Sequence, residues 1–157
     1  MMMHLTCNVL KSLVGKTLVT AESCTGGGIG AALTAIPGSS EVYKGGVISY
    51  TNWVKENILG VDGELLKTYG AVSVDVAKAM AEGARKLLQA DVAVSVTGLA
   101  GPGGDEYGNP VGTVFIGYAS AETSFGKHFV FEGSREEVRN SAVRSALEII
   151  LLENSLK

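Results

Sequence analysis

Two cysteines, at positions 7 and 24, are too few for a disulfide framework, and they point to a reducing compartment. Charge is also scarce, at 18% of residues. Thirteen basic against sixteen acidic side chains leave a net charge of −3, with no basic run to track a phosphate backbone. Nucleic acid is therefore not an expected partner. The longest uncharged stretch, 23–40, is broken by five glycines and a proline, so no membrane span is expected. The first residues, Met-Met-Met-His-Leu-Thr-Cys, lack the cationic region and cleavage site of a secretory signal, and a cytoplasmic protein is expected. Only three prolines occur, each inside a glycine-rich turn, and no repeat or low-complexity linker divides the chain.

What is abundant is glycine, 21 of 157 residues, about 13% against an average near 7%. Without a collagen period, that excess marks tight turns or backbone held close to a ligand. Hydrophobic residues reach 46%, enough for one folded domain over 1–157. Helical spacing of Leu5, Val9, Leu10, Leu13 and Val14 is followed by a short strand over 16–21 and a helix from about Gly27 to Ala35. A second strand lies within 42–50, and one or two helical turns within 51–59. Ser73 is a candidate cap for a helix to Gln89, with Val76, Met80, Ala84, Leu87 and Leu88 as its buried stripe. Asp91 to Val96 reads as an apolar strand, and 111–120 and 123–132 as a hairpin. Ser134 and Glu137 form a capping box before a terminal helix buried through Val138, Ala142, Ala146 and Ile149. Alternating helices and strands predict an α/β fold, a mixed sheet covered on both faces.

The segment Ala21-Glu-Ser-Cys-Thr-Gly-Gly-Gly28 puts small polar residues and glycines where a strand gives way to a helix. Backbone N–H groups in such a turn can receive an anion or an oxyanion. No phosphate-binding G-x-x-x-x-G-K-[ST] occurs, the dinucleotide pattern at 26–31 lacks its acidic residue, and the nucleophile-elbow glycines are missing around Ser23. Ser23 is a candidate nucleophile; alternatively it, or Thr25, caps the helix. Neither His4 nor His128 suits a triad. Lys55 can serve as base if desolvated, with Tyr50 as proton relay, provided Tyr50 ends the strand and Lys55 follows on the next turn; otherwise Lys55 is a surface lysine. Glu22 can orient that lysine or pair with another cation.

The 97–110 loop (TGLAGPGGDEYGNP) is a second glycine cluster after a central strand, where α/β sheets collect ligands. Asp105 and Glu106 lack companions for metal binding, and no metal or cofactor is expected. Arg135 and Arg139 share one face at the start of the last helix. Either a bound anion or Glu136 and Glu137 can offset their conflict with the helix dipole.

Taken together, Ala21-Glu-Ser-Cys-Thr-Gly-Gly27, Tyr50-Thr-Asn-x-x-Lys55, Gly70-Ala-Val-Ser73, Ser95-Val-Thr-Gly-Leu-Ala-Gly-Pro102 and Pro110-Val-Gly-Thr113 resemble the CinA C-terminal family. That family includes nicotinamide-nucleotide amidases. The resemblance implies a three-layer α/β/α fold with a mostly parallel sheet, in a stand-alone form without the large N-terminal domain that many relatives carry. It implies hydrolysis of the carboxamide of nicotinamide mononucleotide to nicotinic acid mononucleotide and ammonia, in pyridine-nucleotide salvage. Ser23 would be the nucleophile, Lys55 its base, and Tyr50 a relay or donor to ammonia. Thr25, Gly26, Gly27, Thr97 and Gly98 would supply oxyanion or ring-binding donors, and Arg135 or Arg139 would hold the phosphate. Cys24 is expected to pack rather than react. A homodimer is the prior for any self-association. The reading in a different class is a pyridine-nucleotide-binding or competence-associated regulatory module without turnover.

Overall fold

The computed structural model describes residues 2–155. The apolar repeat near the start forms α1 (Met2–Ser12), followed by β1 (Leu18–Glu22), whose five residues are all buried. A strand covered on both faces carries no polar alternation, which suits a central position. Then come α2 (Gly28–Thr34), β2 (Tyr43–Ile48), α3 (Asn52–Asn57), α4 (Gly63–Tyr69) and α5 (Val74–Leu87). The chain continues through β3 (Val92–Gly98), β4 (Thr113–Ala119), β5 (Ser124–Val130) and α6 (Arg135–Asn154). The sheet order is β2-β1-β3-β4-β5. β1 lies parallel to both β2 and β3, while β4 is antiparallel to β3 and to β5, so β4 alone runs against the other four.

Side chains alternate across this sheet and create two cores. Leu18, Val92, Val94, Val96 and Ile116 meet α1, α2 and α6 on one face. Val19, Ala21, Ala93 and Ala119 meet α4 and α5 on the other. The second face is lined by small residues, so α5 sits close: Ser95 Oγ donates to the Ala77 carbonyl at 2.5 Å. A Cβ at Gly117 would fall 2.1 Å from that same carbonyl, so only glycine fits there. The result is the expected α/β/α sandwich around a mixed, mostly parallel sheet.

Three details differ from the sequence expectations. α4 forms where no element was predicted, capped by the Asp62 carboxylate, which accepts from Glu64 N at 2.9 Å. Leu87, predicted in the buried stripe of α5, is 50% exposed, at the last residue of the helix. β4 starts at Thr113, since Val111 and Gly112 still belong to the turn. Among the described residues no helix is long and apolar enough to cross a membrane.

The parallel arrangement brings the C-terminal ends of β1, β2 and β3 to one edge of the sandwich. The connections 23–27, 49–51 and 99–112 therefore meet there, the place where open α/β sheets bind ligands.

Candidate active site

Ser23 follows directly on β1, its N–H donating to the Val96 carbonyl of β3 at 2.9 Å. The turn after it needs left-handed backbone at Gly26 (φ 58°) and Gly27 (φ 104°), which explains the glycines. Gly27 is the N-cap of α2 and has no side chain with which to cap it. Neither Ser23 nor Thr25 fills that role. The Glu22 carboxylate does, accepting from Ile29 N at 2.8 Å and Gly30 N at 3.0 Å, and from Thr25 Oγ1 at 2.8 Å. Glu22 is thus neither oriented toward Lys55 nor ion-paired among the described residues.

The Ser23 hydroxyl is left for Lys55, whose Nζ lies 2.9 Å from Ser23 Oγ. The same Nζ donates to the Ser49 carbonyl at 2.7 Å and the Tyr50 carbonyl at 3.3 Å. Lys55 sits near the end of α3, a helix opened by Thr51, whose hydroxyl accepts from Val54 N. The parallel register pairs Glu22 with Ile48, and Ser49 N donates to the Glu22 carbonyl, so the exit of β2 is stitched beside Ser23. Tyr50 follows the strand and Lys55 occupies the next helix, the arrangement under which the two converge. Lys55 is 1% exposed. Burial lowers its pKa from 10.5 to about 8.

Tyr50 meets Lys55 through its main-chain carbonyl; its hydroxyl instead accepts from Arg135 Nη2 at 3.3 Å. Arg135 Nη1 also donates to the Gly101 carbonyl, so the guanidinium bridges the two lips of the cleft. Arg139, one turn further along α6, donates from Nε to the Cys24 carbonyl at 3.0 Å and from Nη2 to the Thr25 carbonyl at 3.1 Å. It braces the turn from outside rather than lining the cleft.

The cleft has a volume of about 410 Å³, within the range of small-molecule sites. Ser23, Cys24, Tyr50, Lys55, Thr97, Gly98 and Arg135 line it, with Leu99 to Gly101 and Gly103 of the glycine loop. Thr25, Gly26 and Gly27 lie behind this lining, and the Gly26 N–H is bonded to the Ser23 carbonyl at 3.0 Å. Thr97 Oγ1 donates to the Ala71 carbonyl at 2.8 Å. At Gly98 a Cβ would lie 2.7 Å from Val114 Cγ2, so that glycine is required by the approach of β4. Asn52, Ala71 and Val72 also line the cleft. Asn52 was legible within the Tyr50-Thr-Asn motif, and Ala71 and Val72 within Gly70-Ala-Val-Ser73, although those two carry no reactive side-chain group.

Charge in this lining is one-sided: among the described residues it holds two cations, Lys55 and Arg135, and no carboxylate, in a chain whose net charge is negative. The glycine loop is organised by Asp105, whose carboxylate accepts from Tyr107 N, Asn109 N and Asn109 Nδ2 and is held below the usual carboxylate range by those bonds, burial opposing. Asp105 is thus a loop organiser rather than the solvated charge its position suggests. Cys24 is buried, and desolvation raises its thiol pKa to about 11, so it packs as a neutral group. Among the described residues no cluster of three or more His, Cys, Asp or Glu side chains is placed to hold a metal.

Comparison with known proteins gives a consistent picture. A family model described as the CinA C-terminal domain matches residues 3–153. A CinA-like protein of Synechococcus sp. (strain RCC307) is 47% identical over 140 residues, 88% of this chain and 34% of that protein. A CinA-like protein of Prochlorococcus marinus (strain MIT 9313) is 56% identical over 105 residues, 67% of this chain and 24% of that protein. The chain spans about a quarter to a third of the length of the curated relatives it matches. Among solved structures, a CinA superfamily protein from Klebsiella pneumoniae superposes with a TM-score of 0.96 at 34% identity, covering 100% of this chain and 99% of that one. The competence/damage inducible protein CihA from Agrobacterium tumefaciens gives 0.93 at 40% identity, covering 98% and 95%.

Proposed function

The chain belongs to the CinA C-terminal domain family, and from that premise and the contact between Ser23 and Lys55 we propose that it is an amidohydrolase converting nicotinamide mononucleotide to nicotinic acid mononucleotide and ammonia. The observation that carries this reading is the buried lysine amine 2.9 Å from a serine hydroxyl at the floor of a cationic cleft. A serine is a poor nucleophile until a neighbouring base takes its proton, and a desolvated lysine is such a base.

In the proposed reaction the neutral Lys55 amine accepts the Ser23 proton as Oγ attacks the carboxamide carbon. Backbone N–H groups bordering the cleft at Thr97 and Gly98 steady the resulting oxyanion, while the turn at Thr25 to Gly27, behind the lining, shapes the approach of Ser23. The carbon–nitrogen bond then breaks, and ammonia leaves with the proton from Lys55. Water next attacks the ester on Ser23 and gives its proton to Lys55. The carbon–Oγ bond breaks, Oγ recovers that proton, and the carboxylic acid ionises on release, its remaining proton passing to solvent. Arg135 stands at the cleft mouth, where its planar fork suits a phosphate monoester. Arg139, engaged by the Cys24 and Thr25 carbonyls, is assigned to bracing the turn instead.

The test is ammonia release from nicotinamide mononucleotide without added metal, parent against Ser23→Ala, with nicotinamide riboside as a phosphate-free control. The parent is expected to turn over, Ser23→Ala to be slower by about a thousandfold or more, and the riboside to be the poorer substrate. Equal turnover by parent and variant removes Ser23 from the reaction. Tight binding of the nucleotide with no turnover by either establishes a binding module instead.

A further inference from the structure

A serine at the start of a helix ordinarily turns its hydroxyl toward the orphan amides of the first turn. Here that position is taken. The Glu22 carboxylate, five residues before the N-cap Gly27, reaches Ile29 N and Gly30 N and also receives the Thr25 hydroxyl. Three donors converge on the two oxygens of a side chain that is 1% exposed, and each of these contacts uses it as an acceptor. From the other side Arg139 holds the carbonyls of Cys24 and Thr25. The main chain of Glu22 joins in as well, its carbonyl accepting from Ser49 N at 2.8 Å and so fixing the segment whose carbonyls receive Lys55.

We propose that Glu22 is a positioning residue for the nucleophile: its carboxylate replaces the missing cap of α2, leaving the Ser23 hydroxyl free and holding it within reach of Lys55. The inference rests on the reading of Ser23 as nucleophile and adds to it a requirement for an acceptor-only group at position 22. Glutamine is nearly the same shape but would turn an NH₂ group toward a buried N–H donor, so the isosteric change is disruptive. Loss of the cap frees the turn to shift by a fraction of an ångström, or lets Ser23 take over the cap. Either movement breaks the alignment on which attack depends.

The experiment uses a fluorophosphonate, which reacts with an activated serine: Oγ bonds to phosphorus, fluoride leaves, and the serine proton passes to the base. Labelling rates are measured at 25 °C on folded protein, with mass spectrometry locating the adduct and Ser23→Ala as control. The parent is expected to label at Ser23, and Glu22→Gln to label about tenfold or more slowly. In that variant the pH midpoint of the labelling rate is expected to stay near the parent's, because Lys55 and its carbonyl partners are untouched. Glu22→Asp, which keeps the charge on a shorter arm, is expected to recover part of the rate. A merely structural Glu22 would lower the melting temperature and leave labelling of the folded protein within twofold of the parent, which overturns the inference while Ser23 stands. If the parent does not label at Ser23, the nucleophile assignment fails and this inference with it. Should Glu22→Gln not fold, Thr25→Val removes one of the three donors, and is expected to slow labelling about threefold or more; an unchanged rate overturns the inference.

Discussion

A neutral lysine amine has two N–H donors and one lone pair, and Lys55 has two carbonyls and one hydroxyl around it. As an ammonium, Nζ donates to all three; as a neutral amine it keeps the two carbonyls as acceptors and turns its lone pair to Ser23 Oγ. The partner set therefore accommodates both protonation states, and the burial that brings its pKa to about 8 makes the neutral one accessible near neutral pH. At pH 7 such a group is neutral in about a tenth of molecules. In the proposed amidase, kcat/KM is accordingly expected to rise with pH and level off above an apparent pKa near 8, a profile measurable by ammonia release across pH 6–9.5. Lys55→Arg keeps the charge but cannot shed its proton, so it is expected to lose the activity by a thousandfold or so at every pH in that range. An arginine variant that retained the alkaline rise would place the titrating group elsewhere. Ser23 and Lys55 are legible in sequence as residue types beside glycine-rich turns, but their contact is not. They are 32 positions apart and meet only because β1 and β2 pair in parallel.

The elements that carry the site are held by caps and braces that can be tested. α6 begins with the capping box predicted from Ser134 and Glu137: Ser134 Oγ accepts from Glu137 N at 3.2 Å, and Glu137 Oε1 accepts from Ser134 N at 2.9 Å. This helix presents both Arg135 and Arg139, so its first turn matters to the cleft and to the 23–27 turn together. Ser134→Ala is expected to cost about 1 kcal/mol of stability, read as a lower urea midpoint with an unchanged slope. The box was legible because it is local, a pattern of four residues. The cap of α2 was not, because it comes from Glu22 on the preceding strand, outside any helix-start pattern. The same limit applies to α4, seven residues long, whose apolar stripe is too short to stand out although Asp62 and Glu64 mark its start.

Over the whole molecule, the cost of burying Lys55 is carried by the rest of the fold. Its folded-state pKa lies near 8, below the 10.5 of an exposed lysine, so between those values the unfolded chain holds a proton that the folded protein has released. Stability from this group therefore rises with pH across that window, by up to about 3 kcal/mol, and the penalty is fully present below pH 8. Compared with Lys55→Met in urea titrations at pH 7.5 and pH 10, the parent is expected to gain on the variant; no relative gain would show that Lys55 titrates normally. Two interleaved cores sustain that burden, one under α1, α2 and α6 and one under α4 and α5. The sequence by itself determined the α/β class, the strand and helix order apart from α4, the glycine turns, and the residue types able to do acyl chemistry. Those are properties of periodicity, local caps and motif composition. Only the tertiary structure decided which arginine faces the cleft and which braces the turn. It also decided that Glu22 rather than Ser23 caps α2, and that Lys55 is buried against Ser23. Each depends on which segments a parallel sheet brings to its shared C-terminal edge, and a pairing between strands far apart in the chain leaves no trace in local spacing.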